Sequence, residues 1–188
     1  MSQRNTPPYR ADHVGSLLRP ANLHDARAKS ARGEIDAAAL RKVEDAAIRD
    51  VVALQEDIGL QGISDGEFRR TWWHFDFLSG FDGFELGAPL DKGTFQGSDE
   101  QPPRAMITAK LARSQPVMGD HFTYLNGLTE YYAKFTVPGP SMAHFRAGRE
   151  GISEAAYPDL AEFWADLTAA YRAELGDLAA NGCRYLQL

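Results

Sequence analysis

Apolar residues recur every three or four positions through residues 36–59, at Leu40, Val43, Ala47, Val51, Leu54 and Ile58. This spacing predicts one long amphipathic helix with those six side chains on its buried face. Asp36 stands where an N-cap is needed and Gly59 where a left-handed terminating residue is needed. Residues 153–180 repeat the pattern with Leu160, Phe163, Trp164, Leu167, Tyr171, Leu175 and Leu178, and Asn181-Gly182 stops it. Shorter helices are predicted over residues 23–29, ended by Gly33, and over residues 121–131.

Short β-prone runs lie between these helices. Residues 12–20 predict a strand running into a Gly15-Ser16 turn, residues 60–64 a strand followed by Asp65-Gly66-Glu67, and residues 133–137 a strand followed by Pro138-Gly139-Pro140. Residues 183–188 predict a fourth. Strands alternating with helices indicate the α/β class with parallel βα units. Four such units are half of a (β/α)8 barrel of the TIM type, which usually runs to about 250 residues.

Residues 68–83 are densely aromatic, with Trp72, Trp73, Phe75, Phe77 and Phe81, and predict a helix followed by an irregular turn that plugs the barrel rim. Glycines and prolines punctuate residues 84–115, which read as a hairpin insertion of the kind that covers a substrate. Residues 1–10 are polar and read as a flexible arm, so the domain is residues 11–188. The last predicted strand reaches Leu188 with no loop after it.

Composition narrows the function classes. The 188 residues are 44% hydrophobic and 24% charged, as expected of a globular chain. A net charge of −6, with no basic run, argues against a nucleic-acid partner. No apolar stretch approaches the ~20 residues of a membrane span. The single Cys183 excludes an internal disulfide, and the polar start lacks a signal-peptide core, so a cytoplasmic location is expected.

Among candidate residues Glu67 stands out, because a carboxylate just past a barrel strand lies on the face where these barrels do chemistry. A salt bridge to Arg69 or Arg70 is its ordinary alternative. Asp65 shares the loop but also suits a turn before Gly66. Gly15 is explained equally by a turn that needs positive φ, and His13 by a backbone hydrogen bond. His74 and Asp76, embedded among aromatics, could face a pocket, whereas Cys183 reads as a small buried residue.

One family carries these strand ends in this order. The run His13-Val14-Gly15-Ser16-Leu17-Leu18-Arg19-Pro20 comes first, then Ser64-Asp65-Gly66-Glu67-Phe68-Arg69-Arg70 with Trp72-Trp73-His74-Phe75-Asp76-Phe77. Pro138-Gly139-Pro140 and Gly182-Cys183-Arg184-Tyr185-Leu186-Gln187-Leu188 follow. Together they resemble the cobalamin-independent methionine synthases, more closely their short single-barrel relatives, over residues 11–188.

The resemblance implies the amino-terminal half of a zinc-dependent methyltransferase of methionine biosynthesis, similar to 5-methyltetrahydropteroyltriglutamate–homocysteine S-methyltransferase. Zinc would hold a homocysteine-type thiol as its thiolate, since a bound cation lowers thiol pKa. The family's ligands are a His-x-Cys pair, a glutamate and a second cysteine from later strands. No His-x-Cys occurs here, so this chain alone is expected to bind no zinc.

By the same resemblance, Gly15 and Ser16 offer backbone groups to the substrate carboxylate and Glu67 pairs with its ammonium, with His13 and Asp65 beside them in the substrate-binding set. The implied partners are a small thiol and a methyl donor, together with a second copy or a missing carboxy-terminal half. Two positions depart from the family: Ser98-Asp99-Glu100 replaces a basic contact for a folate-type donor, and His144-Phe145-Arg146 lacks the tryptophan that stacks on the pterin. The alternatives are a thiol alkyltransferase of the same fold, similar to epoxyalkane–coenzyme M transferase, and a non-catalytic half-barrel with unpaired sheet edges.

Overall fold

The structure is a computed structural model that describes residues 6–89, 103–145 and 147–188. In chain order the elements are α1 (Ala21–Ala31), α2 (Ala37–Asp57), β1 (Gly62–Ile63), α3 (Phe75–Leu78), β2 (Asp82–Gly87), β3 (Arg104–Ala112), α4 (Gly119–Asn126), β4 (Tyr132–Thr136), α5 (Leu160–Ala180) and β5 (Tyr185–Gln187). Single 3-10 turns at Pro140–Ala143 and Gly148–Gly151 lie between β4 and α5. These α/β elements fall into two compact units. The first takes residues up to Trp73 with 120–136 and 181–187, and the second takes 74–119 and 137–180 with Leu188.

In the first unit, three parallel strands pair in the order β1-β4-β5. Gly62 sits opposite Tyr132, and Lys134, Phe135 and Thr136 sit opposite Tyr185, Leu186 and Gln187. Residues 12–20, expected as a strand, form none. Gly15 adopts φ +84 there, which no regular strand accommodates. Side chains hold this segment instead of a hydrogen-bond ladder.

Helix α2 begins and ends as its sequence indicates. The Asp36 carboxylate accepts from Ala39 N at 2.7 Å. At the other end Gly59 takes φ +85, its N–H donates to Glu56 O, and the Leu60 N–H donates to Gln55 O. This pair of bonds closes the carbonyls that a helix end leaves open. The buried face is Glu44, Ala47, Ile48, Val51, Val52 and Gln55, while Leu54 and Ile58 are 56% and 65% exposed.

The helix is therefore rotated from the expected face, because two polar residues on it have interior work. Gln55 Nε2 donates to Ser64 O at 2.8 Å and to Val51 O, and its Oε1 accepts from Ser64 N at 3.0 Å. One side chain thus serves both backbone groups of the residue that follows β1. Helix α4 stops at Asn126, short of its expected end, with Gly127 N bonded to Thr123 O. Its Phe122 packs edge-on against Phe135 of β4.

The second unit holds the expected hairpin. Strands β2 and β3 pair antiparallel with an irregularity between Asp82 and Phe84, where Gly83 at φ +78 approaches the Lys110 carbonyl so closely that a Cβ would lie 2.6 Å from it. The part of the insertion at residues 90–102, including Ser98-Asp99-Glu100, lies outside the described residues, as does Arg146 of His144-Phe145-Arg146. The aromatic stretch yields only the four-residue α3, and Phe77, Phe81 and Tyr171 form a mutual ring cluster with centroids 5.2–5.5 Å apart.

Helix α5 starts at Leu160 rather than at Ser153. Pro158 disfavours helical geometry in the residue before it, and the Asp159 carboxylate caps the new start by accepting from Ala161 N. The buried Tyr157 hydroxyl accepts from Leu111 N and donates to Asp166. Leu160 and Trp164, expected in the core, remain partly exposed. The fully buried Glu174 accepts from Arg113 and from the amides of Val117 and Met118. No helix of the described residues is long and apolar enough to cross a membrane.

Replacing Gln55 by leucine strands the amide and carbonyl of Ser64 in the interior, at roughly 1–3 kcal/mol for each unsatisfied group. We expect Gln55→Leu to lower unfolding stability by about 2–4 kcal/mol, read as a reduced urea midpoint with an unchanged slope. A midpoint within error of wild type would contradict the assigned role.

Candidate substrate-binding site

The carboxylate of Glu67 is the centre of a polar cluster at the carboxyl ends of β1 and β4. Its residue is 3% exposed and holds φ +59, the left-handed region that side chains with a Cβ rarely adopt. Such strain persists only when the surroundings over-determine it. Here they do. The Glu67 N–H donates to Asp65 Oδ1 at 2.9 Å, and Arg19 donates to the carbonyls of Glu67 and Arg70. Arg27 adds bonds to the carbonyls of Phe68 and Arg70.

On the carboxylate itself, Ser16 Oγ donates to Oε2 at 2.6 Å and Thr136 Oγ1 to Oε1 at 3.3 Å. The Arg70 guanidinium, 1% exposed, lies 3.8 Å from Oε1, donates to Thr136 O and rests over the Phe135 ring. Arg69, the other expected salt-bridge partner, turns away to Glu44 and Asp45. Burial raises the Glu44 pKa, and nearby Arg69 and Arg27 oppose that rise.

A second cluster adjoins the first in the same unit. Lys134 of β4 donates to Asp12 Oδ2 at 2.7 Å and to His13 O at 2.6 Å, and the Tyr185 hydroxyl of β5 donates to Asp12 Oδ2 at 2.6 Å. Burial by itself would raise the Asp12 pKa, but these bonds outweigh it and hold the carboxyl below its ordinary value. The contact is thus complete at neutral pH and weakens only as pH falls through that lowered value. Burial, then the Asp12 charge, pushes the Tyr185 hydroxyl up to about 12.

Of the expected site residues, Ser16 and Glu67 are in direct contact. Gly15 lies at the exposed turn between His13 and Ser16, and the His13 ring Nε2 bonds to Gly15 O at 2.7 Å. Asp65 is close but serves as the turn acceptor for Glu67 N. His74 and Asp76 belong to the second unit, where the His74 ring stacks on Phe75 at 3.9 Å. Sequence reasoning missed Asp12, Lys134, Thr136 and Tyr185. The available signal was Lys134, an ionisable residue in the middle of an otherwise apolar strand.

Among the described residues, no three His, Cys, Asp or Glu side chains come together as a metal site. Cys183 is buried with its thiol pKa raised by that burial, the reverse of what a thiolate ligand needs. These residues do not fit a zinc ion.

Residues 10–188 match the family described as the catalytic domain of cobalamin-independent synthase. The chain belongs to that family. It is 40% identical to the Bacillus subtilis protein YxjH over 96% of this chain and 48% of that one. It is 30% identical to a 5-methyltetrahydropteroyltriglutamate–homocysteine methyltransferase of Thermosynechococcus vestitus, over 99% of this chain and 24% of that one. A crystal structure of a putative vitamin-B12 independent methionine synthase from Listeria monocytogenes superposes with a TM-score of 0.79 at 37% identity, covering 96% of this chain and 51% of that one. The chain therefore spans about half the length, or less, of these members of the cobalamin-independent synthase family.

The strain at Glu67 is testable without any substrate. Glu67→Ala and Glu67→Gly both remove the carboxylate, but only glycine is relaxed at positive φ. We expect the glycine variant to be the more stable of the two by about 1 kcal/mol in urea denaturation. Equal stability, or a more stable alanine variant, would show that residue 67 is not held in the left-handed region.

Proposed function

We propose that this chain supplies the amino-acid-binding half of a (β/α)8 barrel enzyme that transfers a methyl group to a homocysteine-type thiol. The observation that carries the reading is the buried Glu67 carboxylate at the β1 end, with two hydroxyls on its oxygens. A substrate ammonium replacing the Ser16 hydroxyl would form a charge-assisted hydrogen bond in a site largely shielded from water. Gly15 and Ser16 stand beside it at an exposed turn, suited to a carboxylate. Arg70 balances the Glu67 charge when the site is empty.

Family membership supports methyl transfer as the reaction, and the methyltetrahydropteroyltriglutamate–homocysteine methyltransferases among the relatives support the acceptor. The same carboxylate argues against an acceptor such as coenzyme M, whose sulfonate would meet it without a compensating ammonium. In this reading a zinc ion held by other parts of the barrel would lower the pKa of the acceptor's thiol, and no residue described here would hold it. The part played by this chain is to bind and orient the acceptor.

The test is calorimetric titration of homocysteine into the protein that carries this chain with the rest of its barrel. Glu67→Gln keeps the shape and removes the charge, and we expect it to weaken binding by about 10- to 100-fold, the scale of one charged hydrogen bond. Affinity within twofold of wild type would overturn the reading.

A further inference from the structure

Lys134 is a buried cation of the first unit whose bonds all go to one segment of the chain. It is 2% exposed on β4, two residues before Thr136 and therefore on the same side of the strand. Burying an ammonium costs several kcal/mol unless its bonds are satisfied, and an apolar residue fills such a position at less cost. The purpose of the lysine must lie in what it holds.

What it holds is the segment that carries Gly15 and Ser16. Its Nζ bonds Asp12 Oδ2 and His13 O, and Tyr185, its neighbour in register on β5, bonds the same Asp12 oxygen. The Asp12 Oδ1 in turn accepts from His13 N at 3.0 Å, and the His13 ring reaches Gly15 O at 2.7 Å. At the far end Leu17 N donates to Gly66 O at 3.1 Å. A segment with no strand ladder is thus fixed at both ends, with the left-handed Gly15 and the exposed Ser16 between them.

We propose that Lys134, Asp12 and Tyr185 are positioning residues that set the Gly15-Ser16 turn at the correct distance from the Glu67 carboxylate, so that both ends of an amino-acid substrate are received together. The inference rests on the acceptor-binding reading above and deepens it. None of the three touches substrate; they act through His13 and Gly15. Positioning matters because a displaced turn loses its hydrogen bonds to the substrate carboxylate, and a hydrogen bond to a charged group is worth about 10- to 100-fold in affinity.

The experiment compares Lys134→Met, Tyr185→Phe, Asp12→Asn and the Lys134→Met/Tyr185→Phe pair with wild type in the complete enzyme. It records KM for the thiol acceptor, KM for the methyl donor, kcat, and hydrogen exchange of the His13 and Leu17 amides. Lys134→Met is expected to raise acceptor KM about 10- to 100-fold, with donor KM and kcat within about twofold and faster exchange at both amides. Tyr185→Phe should raise acceptor KM by less, and the pair should fall short of the product of the single effects, because both act through Asp12.

Faster exchange with an unchanged acceptor KM would reduce the cluster to a stability role and overturn the proposal, as would equal losses in acceptor KM, donor KM and kcat. If Lys134→Met fails to fold, Tyr185→Phe and Asp12→Asn decide by the same criteria. A parallel Glu67→Gln measurement separates the two readings. Weak binding by Glu67→Gln beside normal binding by the positioning variants sinks only this inference, whereas normal binding by Glu67→Gln sinks the acceptor reading itself.

Discussion

Glu67 combines two costs that proteins usually avoid, a buried carboxylate and a left-handed backbone on a residue with a Cβ. Much of the first unit is arranged around these costs. Asp65 closes the turn, Arg19 and Arg27 take up the carbonyls it leaves open, Ser16 and Thr136 meet the carboxylate oxygens, and Arg70 balances the charge. Farther back, Gln55 of α2 fixes Ser64 at the start of the same turn. The helix rotates to do so, leaving Leu54 and Ile58 in solvent.

That rotation marks the boundary of what the sequence made legible. Periodicity located the long helices, and cap residues such as Asp36 and Gly59 set the ends of α2 correctly, because these signals are local. Periodicity failed where polar residues had long-range partners. Gln55 and Glu44 stand outside the apolar pattern, and the strand end and Arg69 beside them account for their burial. Likewise residues 12–20 have strand-like composition, yet tertiary bonds from Lys134 and Tyr185 replaced a ladder. Pro158 was a visible sign that α5 could not begin at Ser153, and the apolar pattern on either side obscured it.

The candidate site divides along the same line. Glu67 was legible from its place just past a strand, Ser16 only through the family resemblance, and the two meet at 2.6 Å. Lys134, Asp12 and Tyr185 were not, because their importance lies in contacts across more than 120 residues. Membership of the cobalamin-independent synthase family accounts for the order of these strand ends. The geometry adds what the family pattern does not state, namely that a buried lysine carries the turn opposite the carboxylate.

The central claim is that Glu67 receives the ammonium group of an amino-acid thiol. The most direct measurement is a crystal structure of the complete protein with homocysteine or methionine bound. The account predicts the ligand nitrogen within hydrogen-bond distance of a Glu67 carboxylate oxygen, with the Ser16 hydroxyl displaced from it and the ligand carboxylate at the Gly15-Ser16 turn. A ligand bound elsewhere, with Ser16 still donating to Glu67, would contradict it.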